Sequence, residues 1–219
     1  MQRTKIDWVK NQDGSQGYTI NPIKGLCKGG CSYCYARRIY TRYKLDPTIR
    51  LDLRVFDKLP KKPSRIFVCS THDIMGDWIS RLWVRFIIRE MRVRPRYTFF
   101  LLTKFPENHC NFIFPDNCWL GVTITGSYIK EKIASFYIEH PNKFISFEPL
   151  LQLPQNIFIP DDIKWIIIGA QTQPLKLPKY RWIELLCEEA RDMKIPIFMK
   201  SNLKKVWGEN LIQEFPKGV

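Results

Sequence analysis

Three cysteines fall within eight residues, Cys27-Lys28-Gly29-Gly30-Cys31-Ser32-Tyr33-Cys34. The spacing is C-x₃-C-x₂-C, with an aromatic residue directly before the last cysteine. Thiolates are the usual protein ligands of iron–sulfur clusters, and three on one short loop hold three irons of a [4Fe–4S] cluster. The fourth iron then has no protein ligand and is open to a small molecule. The competing chemistry is zinc, which takes four ligands, commonly from C-x₂₋₄-C pairs. Here the fourth would have to come from a distance, from His72, Cys69 or Cys118. Three crowded thiols with no second pair nearby favour the open cluster, and with it a redox enzyme over a structural knuckle.

Such a loop needs elements to carry it. Residues 1–17 are polar and read as an N-terminal extension, with a turn at 13–17. Residues 18–23 read as a short strand entering the cysteine loop, where Gly25, Gly29 and Gly30 permit tight turning. Residues 35–43 have helical periodicity. A basic, loop-rich stretch runs from 44 to 63. Apolar runs then recur at 65–70, 97–103, 118–124, 143–147, 164–169 and 195–199, near-continuous as in parallel strands covered on both faces. Helix-like segments lie between several of them, at 79–93, 129–139 and 182–193. Alternation of this kind implies a parallel α/β sheet with right-handed crossovers. Polar residues end the strands at 70–73, 103–104, 123–125, 147–149, 169–172 and 200–202. They suit the common mouth of a partial (β/α)6–7 TIM-like barrel. The expectation is one domain over 1–219, with its core at 18–200 and a C-terminal tail at 201–219.

The motif and the repeats together resemble the radical S-adenosylmethionine (SAM) superfamily. Asn21-Pro22-Ile23-Lys24-Gly25-Leu26-Cys27 and Cys31-Ser32-Tyr33-Cys34-Tyr35-Ala36 are similar to its small phage-encoded members of unassigned reaction. Phe67–Asp73, Leu102–Glu107, Trp119–Thr123, Phe147–Leu151 and Trp165–Gly169 fit the same group, in the same order. The resemblance implies a barrel of the radical SAM type. Cys27, Cys31 and Cys34 would ligate the cluster, and the open iron would bind the amino and carboxylate groups of SAM. One electron would cleave the sulfonium, and the 5′-deoxyadenosyl radical would take a hydrogen atom from the substrate. The protein's part would be to bind, orient and shield. Tyr33 would lie near the adenine. Ser70 and Asp73 would face the SAM ammonium, although the Gly-Gly-Glu common there is missing from this chain. Lys104 would either neutralise the SAM carboxylate or be a solvated loop lysine. Thr123 and Glu148 would meet ribose hydroxyls, with Gly169 beside them; Glu148 could instead pair with Lys200. A flavodoxin or ferredoxin would supply the electron.

Other residues read more plainly. His72 is either a proton carrier or a hydrogen-bonded neighbour of Asp73. Cys69 and Cys187 read as buried small hydrophobes. Cys110 and Cys118 flank a loop and would matter only as hydrogen-donating thiols facing the mouth.

The net charge is +14, from 35 Lys and Arg against 21 Asp and Glu. A surplus of this size favours polyanions. Between Arg37 and Arg65 ten basic residues stand against three acids. Arg81, Arg85, Arg89 and Arg92 recur at helical spacing, with Leu82, Phe86, Ile87 and Met91 read as the core side of that helix. Arg37, Arg38, Arg81, Arg85, Arg89 and Lys200 are therefore candidate contacts for a nucleic acid or nucleotide, and seven Trp, nine Tyr and fourteen Phe offer stacking surfaces. The substrate expected is a nucleic acid or nucleotide, modified or repaired. A peptide or small metabolite is the second enzyme reading, and a zinc-stabilised nucleic-acid-binding module is the non-catalytic one. No apolar leader opens the sequence and no apolar run reaches the ~20 residues of a membrane span. With seven cysteines, an odd number, the expectation is a reducing cytoplasm and no membrane.

Overall fold

The computed structural model describes residues 2–126, 138–153 and 157–217. The helix expected over 129–139 lies outside them except for Ile138 and Glu139. The chain is mixed α/β and packs as two compact units, Met1–Trp119 and Leu120–Val219.

In the first unit β1 (Gln2–Arg3) lies antiparallel to β2 (Tyr18–Ile20). The short strands β3 (Ile23–Lys24) and β4 (Arg50–Leu51) form a separate ribbon. Strand β5 (Arg65–Val68) runs parallel to β2, and β6 (Thr98–Thr103) parallel to β5. Helix α1 (Tyr35–Tyr43) follows the cysteine loop, and α2 (Arg81–Arg92) joins β5 to β6. Ile66 and Val68 of β5 and Phe99, Phe100 and Leu101 of β6 are all at most 1% exposed, so both faces are covered. Trp8 covers part of one, with its ring 5.2 Å from Phe67 and 5.5 Å from Phe100. The N-terminal extension is thus built into the core.

Two strands end earlier than their apolar runs. The one expected over 18–23 stops at Ile20 because Asn21-Pro22 follows, and proline has no N–H for the ladder. The one expected over 65–70 stops at Val68 because Cys69 takes a left-handed backbone, φ 60°. A non-glycine residue there is uncommon. Cys69 N–H still donates to Ile20 O at 2.8 Å. The loop-rich stretch 44–63 contains β4 and a 3₁₀ turn, Leu53–Lys58, that buries Val55 and Phe56.

Helix α2 corrects one expectation. It buries Val84, Ile87, Ile88 and Met91, whereas Leu82 and Phe86 are exposed on the other side. At 100° per residue Phe86 and Ile87 cannot share a face, and the packed side follows Met91.

In the second unit β7 (Cys118–Thr123, which contains the boundary), β8 (Lys143–Phe147) and β9 (Trp165–Ile168) are parallel neighbours. A hairpin of β10 (Gln171–Thr172) and β11 (Leu175–Lys176) follows. Helix α3 (Tyr180–Asp192), which buries Ile183, Leu186, Cys187 and Ala190, leads to β12 (Ile197–Met199), parallel to β9. Every residue of β7, β8, β9 and β12 is buried. The segment after Lys200 folds back: Phe215 packs 5.5 Å from Trp165 and 5.3 Å from Phe198, and Trp165 Nε1 donates to Glu214 O at 3.0 Å. Among the described residues no helix is long and apolar enough to cross a membrane.

Candidate functional site

The cysteine loop leaves β3, passes through two left-handed glycines, Gly25 (φ 97°) and Gly30 (φ 67°), and runs into α1. Gly25 admits no side chain, since a Cβ there would lie 2.4 Å from Thr48 O. Cys27, Cys31 and Cys34 are each partly exposed, and none is in a disulfide. Cys34 is the N-cap of α1; its Sγ accepts the Arg37 N–H at 3.4 Å. Cys27 Sγ accepts the Gly29 N–H at 3.4 Å, and the Asp73 backbone N–H also points at it. Burial pushes the Cys27 thiol up; the two N–H bonds oppose that shift, while the negative charges of Asp73 and Cys34 reinforce it. Cys31 Sγ lies 3.8 Å from Gly29 O.

The turn after β5, residues 70–78, braces this loop at several points. Tyr35 Oη donates to Ser70 O at 2.7 Å. Ser70 Oγ and Thr71 N–H both donate to Asn21 Oδ1, at 3.3 and 3.2 Å. His72 Nδ1 lies 3.3 Å from Gly25 O, and Trp78 Nε1 donates to His72 Nε2 at 2.9 Å. With Nε2 accepting, the proton sits on Nδ1 and is donated to the carbonyl. Burial lowers the His72 pKa, so the ring is held neutral. This is the hydrogen-bonded alternative for His72, with both nitrogens engaged. The Trp78 ring also lies beside Gly29, where a Cβ would be 3.5 Å from its Cη2, and packs edge-on against Phe105 at 5.3 Å.

Asp73 ties the same turn to the end of β6. Its Oδ1 accepts from Met75 N–H (3.1 Å) and Thr103 Oγ1 (2.7 Å), and its Oδ2 from Lys104 N–H (2.9 Å). The Asp73 clamp thus ties the Lys104 backbone to the turn whose Asp73 N–H reaches Cys27, while Ser70 is held separately by Asn21 and Tyr35. Tyr33 is half-exposed within the loop. Arg37 and Arg38 are exposed on α1, and Arg37 Nη2 donates to Cys27 O at 3.3 Å.

In the second unit the strand ends carry a separate polar group. Glu148 and Lys200 form an ion pair across Gly169; a Cβ at Gly169 would lie 2.9 Å from Lys200 Cδ and 3.1 Å from Glu148 Cγ. Thr123 and Ser146 are register partners on β7 and β8, and neither buried hydroxyl has a hydrogen-bond partner among the described residues. Asn202 spans Ala170, accepting its N–H at 3.0 Å and donating to its O at 2.8 Å.

Of the remaining cysteines, Cys69, Cys118 and Cys187 are buried. Burial raises the Cys69 and Cys187 thiols to about 12 and raises Cys118 as well. Cys110 is exposed, and its Sγ lies 3.0 Å from Glu107 O. Among the described residues no group of three or more His, Cys, Asp or Glu is placed to hold a single metal ion. Trp78 and Ser146 were not singled out from sequence; Asn21 and Thr103 stood there only within the motif and a polar strand end, with no role of their own. For Trp78 a signal was present, a large aromatic in a turn six residues from His72, but its partners are set only by the fold.

No curated protein and no solved structure matches the chain. A family model described as a protein of unknown function (DUF5131) matches residues 3–215. That match takes in the cysteine loop, its bracing turn and the strand ends of both units, and the chain belongs to this family.

Proposed function

We propose that the chain is a radical SAM enzyme whose cysteine loop holds a [4Fe–4S] cluster, acting on a nucleic acid or nucleotide. The observation that carries this reading is the loop itself. It presents three disulfide-free, partly accessible thiols on eight residues between a strand end and a helix N-terminus. As a donor set they suit an iron–sulfur group, and two of the sulfurs already receive backbone N–H bonds, which tune such a group. The parallel strands with sequential order within each unit support a partial barrel of the radical SAM type.

When bound and reduced, the cluster would supply the electron that cleaves SAM into methionine and the 5′-deoxyadenosyl radical. The chain's own residues hold and orient. Cys27, Cys31 and Cys34 would be the ligands, and Tyr33, Ser70 and Lys104 the first-unit contacts for SAM. Asp73 has three internal donors on its carboxylate, so its part is to set the turn that aims its N–H at Cys27. Through the resemblance, Thr123, Glu148 and Gly169 are assigned to the cofactor; the two unpartnered hydroxyls of Thr123 and Ser146 support a polar ligand at their strand ends. Lys200 is committed to Glu148; of the other candidate phosphate contacts Arg37 and Arg38 follow the loop directly on α1, and Arg81, Arg85 and Arg89 stand exposed on α2.

The test is anaerobic reconstitution with iron, sulfide, SAM and dithionite. The expected result is brown protein with about four irons per chain, 5′-deoxyadenosine, and deuterium transfer from labelled DNA or RNA. Replacing Cys27, Cys31 and Cys34 by Ala should remove iron and SAM cleavage together. Colourless protein with one zinc would refute the cluster. Cleavage without deuterium transfer, and no salt-dependent oligonucleotide binding, would move the substrate to a peptide or metabolite.

A further inference from the structure

Helix α2 carries an outer face that the fold does not use. Leu82, Phe86 and Val93 are 54%, 37% and 62% exposed. With Arg89 they fall at i, i+4, i+7 and i+11, the spacing of a single seam along a helix. The buried residues Val84, Ile87, Ile88 and Met91 take the opposite side. Arg81, Arg85 and Arg92 run along one flank of the seam, all exposed. Among the described residues no carboxylate forms an ion pair with Arg81, Arg85 or Arg89. Glu90, on the other flank, is held by Arg94 at 2.5 Å. Arg92 Nη2 donates to Ile113 O at 2.8 Å, which fixes another exposed apolar residue beside the arginines.

At the end of the helix Val93 lines an open recess of about 410 Å³, together with Phe56, Leu59, Pro95 and Tyr97. Its carboxylate, Asp57, lies 3.9 Å from Arg94. The apolar seam therefore runs into a hollow of mixed lining, where Arg94, Arg96 and Asp57 stand beside the apolar residues.

We infer that this face docks a protein partner presenting an acidic amphipathic helix. The partner's apolar stripe packs on Leu82, Phe86 and Val93, its carboxylates meet Arg81, Arg85, Arg89 and Arg92, and one bulky apolar side chain enters the recess. Helix-on-helix recognition uses i, i+4, i+7 anchors of this kind. The choice against a nucleic acid rests on the seam. Phosphates need cations alone and bases need flat rings, whereas Leu82 and Val93 offer neither and gain only from apolar burial. Mixed arginine and large apolar residues are the composition of protein interfaces. The inference does not depend on what the cysteine loop binds.

The test pans a displayed library of random peptides about 20 residues long, enough for a helix of ~30 Å, against the folded protein. Two double variants serve as counter-targets, Leu82→Ser with Phe86→Ser and Arg85→Glu with Arg89→Glu. All four side chains are exposed, so both variants should melt with the wild type. The expected winners are rich in Asp and Glu, carry apolar residues at three- and four-residue spacing, and lose about tenfold or more in affinity on each variant. Single-stranded DNA and RNA are titrated in parallel, and their affinity should be unchanged by Leu82→Ser with Phe86→Ser. No binders, binders without acidic bias, or binders indifferent to both variants would overturn the inference. Loss of oligonucleotide affinity on both variants would give the face to nucleic acid instead.

Discussion

Trp78→Phe is the sharpest probe of how the cysteine loop is held. It keeps an aromatic body against Phe105 and removes one N–H. His72 Nε2 then loses the donor that lies 2.9 Å away, inside a residue only 5% exposed. A buried acceptor left without its partner costs about 1–3 kcal/mol. For a chain of this size each kcal/mol moves the melting temperature by about 2–4 °C, so a fall of about 2–12 °C is expected. The second consequence is local. The indole is the wall beside Gly29, and a smaller ring without its hydrogen bond leaves that wall free to shift. Labelling of Cys27 by iodoacetamide, followed by peptide mass spectrometry, should then speed up several-fold. Exposed Cys110 is the internal control. Gly76→Ala reaches the same point by another route, because its Cβ would lie 2.4–2.6 Å from three atoms of the Trp78 ring and must displace it. If both variants keep the wild-type melting temperature and the wild-type Cys27 labelling rate, the indole does not brace the loop and the reasoning fails.

Three further outcomes are expected. His72 has its folded pKa depressed by burial below the usual ~6.5. The unfolded chain therefore takes up its proton first, so stability is full above about pH 6.5 and falls as pH drops toward the folded pKa; His72→Asn should flatten that slope in urea midpoints taken from pH 5 to 8. Lys200→Met leaves half-buried Glu148, with its side chain 21% exposed, without its partner and should cost about 1–3 kcal/mol in urea unfolding. Adding Glu148→Gln should recover most of that loss, and a double variant no better than the single would deny the coupling. In the native protein at pH 8, with Cys69 and Cys187 pushed up to about 12 and Cys118 also raised, labelling should reach Cys110 and the three loop cysteines first. Early modification of Cys69 would mean that the strand end of β5 opens readily.

The parts of the fold legible in the sequence are those with local causes. The cysteine spacing is local, and so is the strand–loop–helix order around it. The apolar runs of β5 to β9 are continuous because both faces of each strand are covered, and that too can be read residue by residue. The face of α2 was legible but misassigned: residue type placed Leu82 and Phe86 in the core, while angular position places them beside the arginines. Trp8 and Val9 stand in an otherwise mostly polar segment, and it is their burial, with the Trp8 contacts to Phe67 and Phe100, that shows the N-terminal extension belongs to the core.

The group around Gly169 shows where reading by residue stops: the Glu148–Lys200 pair stood as one of two readings of Glu148, and only the strand register selects it. Phe147 is the register partner of Ile168, and Ile168 that of Met199. One step further along each strand come Glu148, Gly169 and Lys200, three residues from three strands on one rung. Side chains alternate across a strand, so all three point to the same face. The outer two can meet only because the middle one has no Cβ to occupy the space between them. Glu148 and Lys200 stand 52 positions apart, and residue type alone left a ribose contact for Glu148 equally open. Their meeting is fixed by two parallel ladders, and a slip of one residue in either would turn the lysine or the glutamate to the opposite face. Gly169→Ala tests this arrangement directly: forcing the pair apart should lower stability by about as much as Lys200→Met, and little further loss should follow when Lys200→Met is added, since the contact it removes would already be broken.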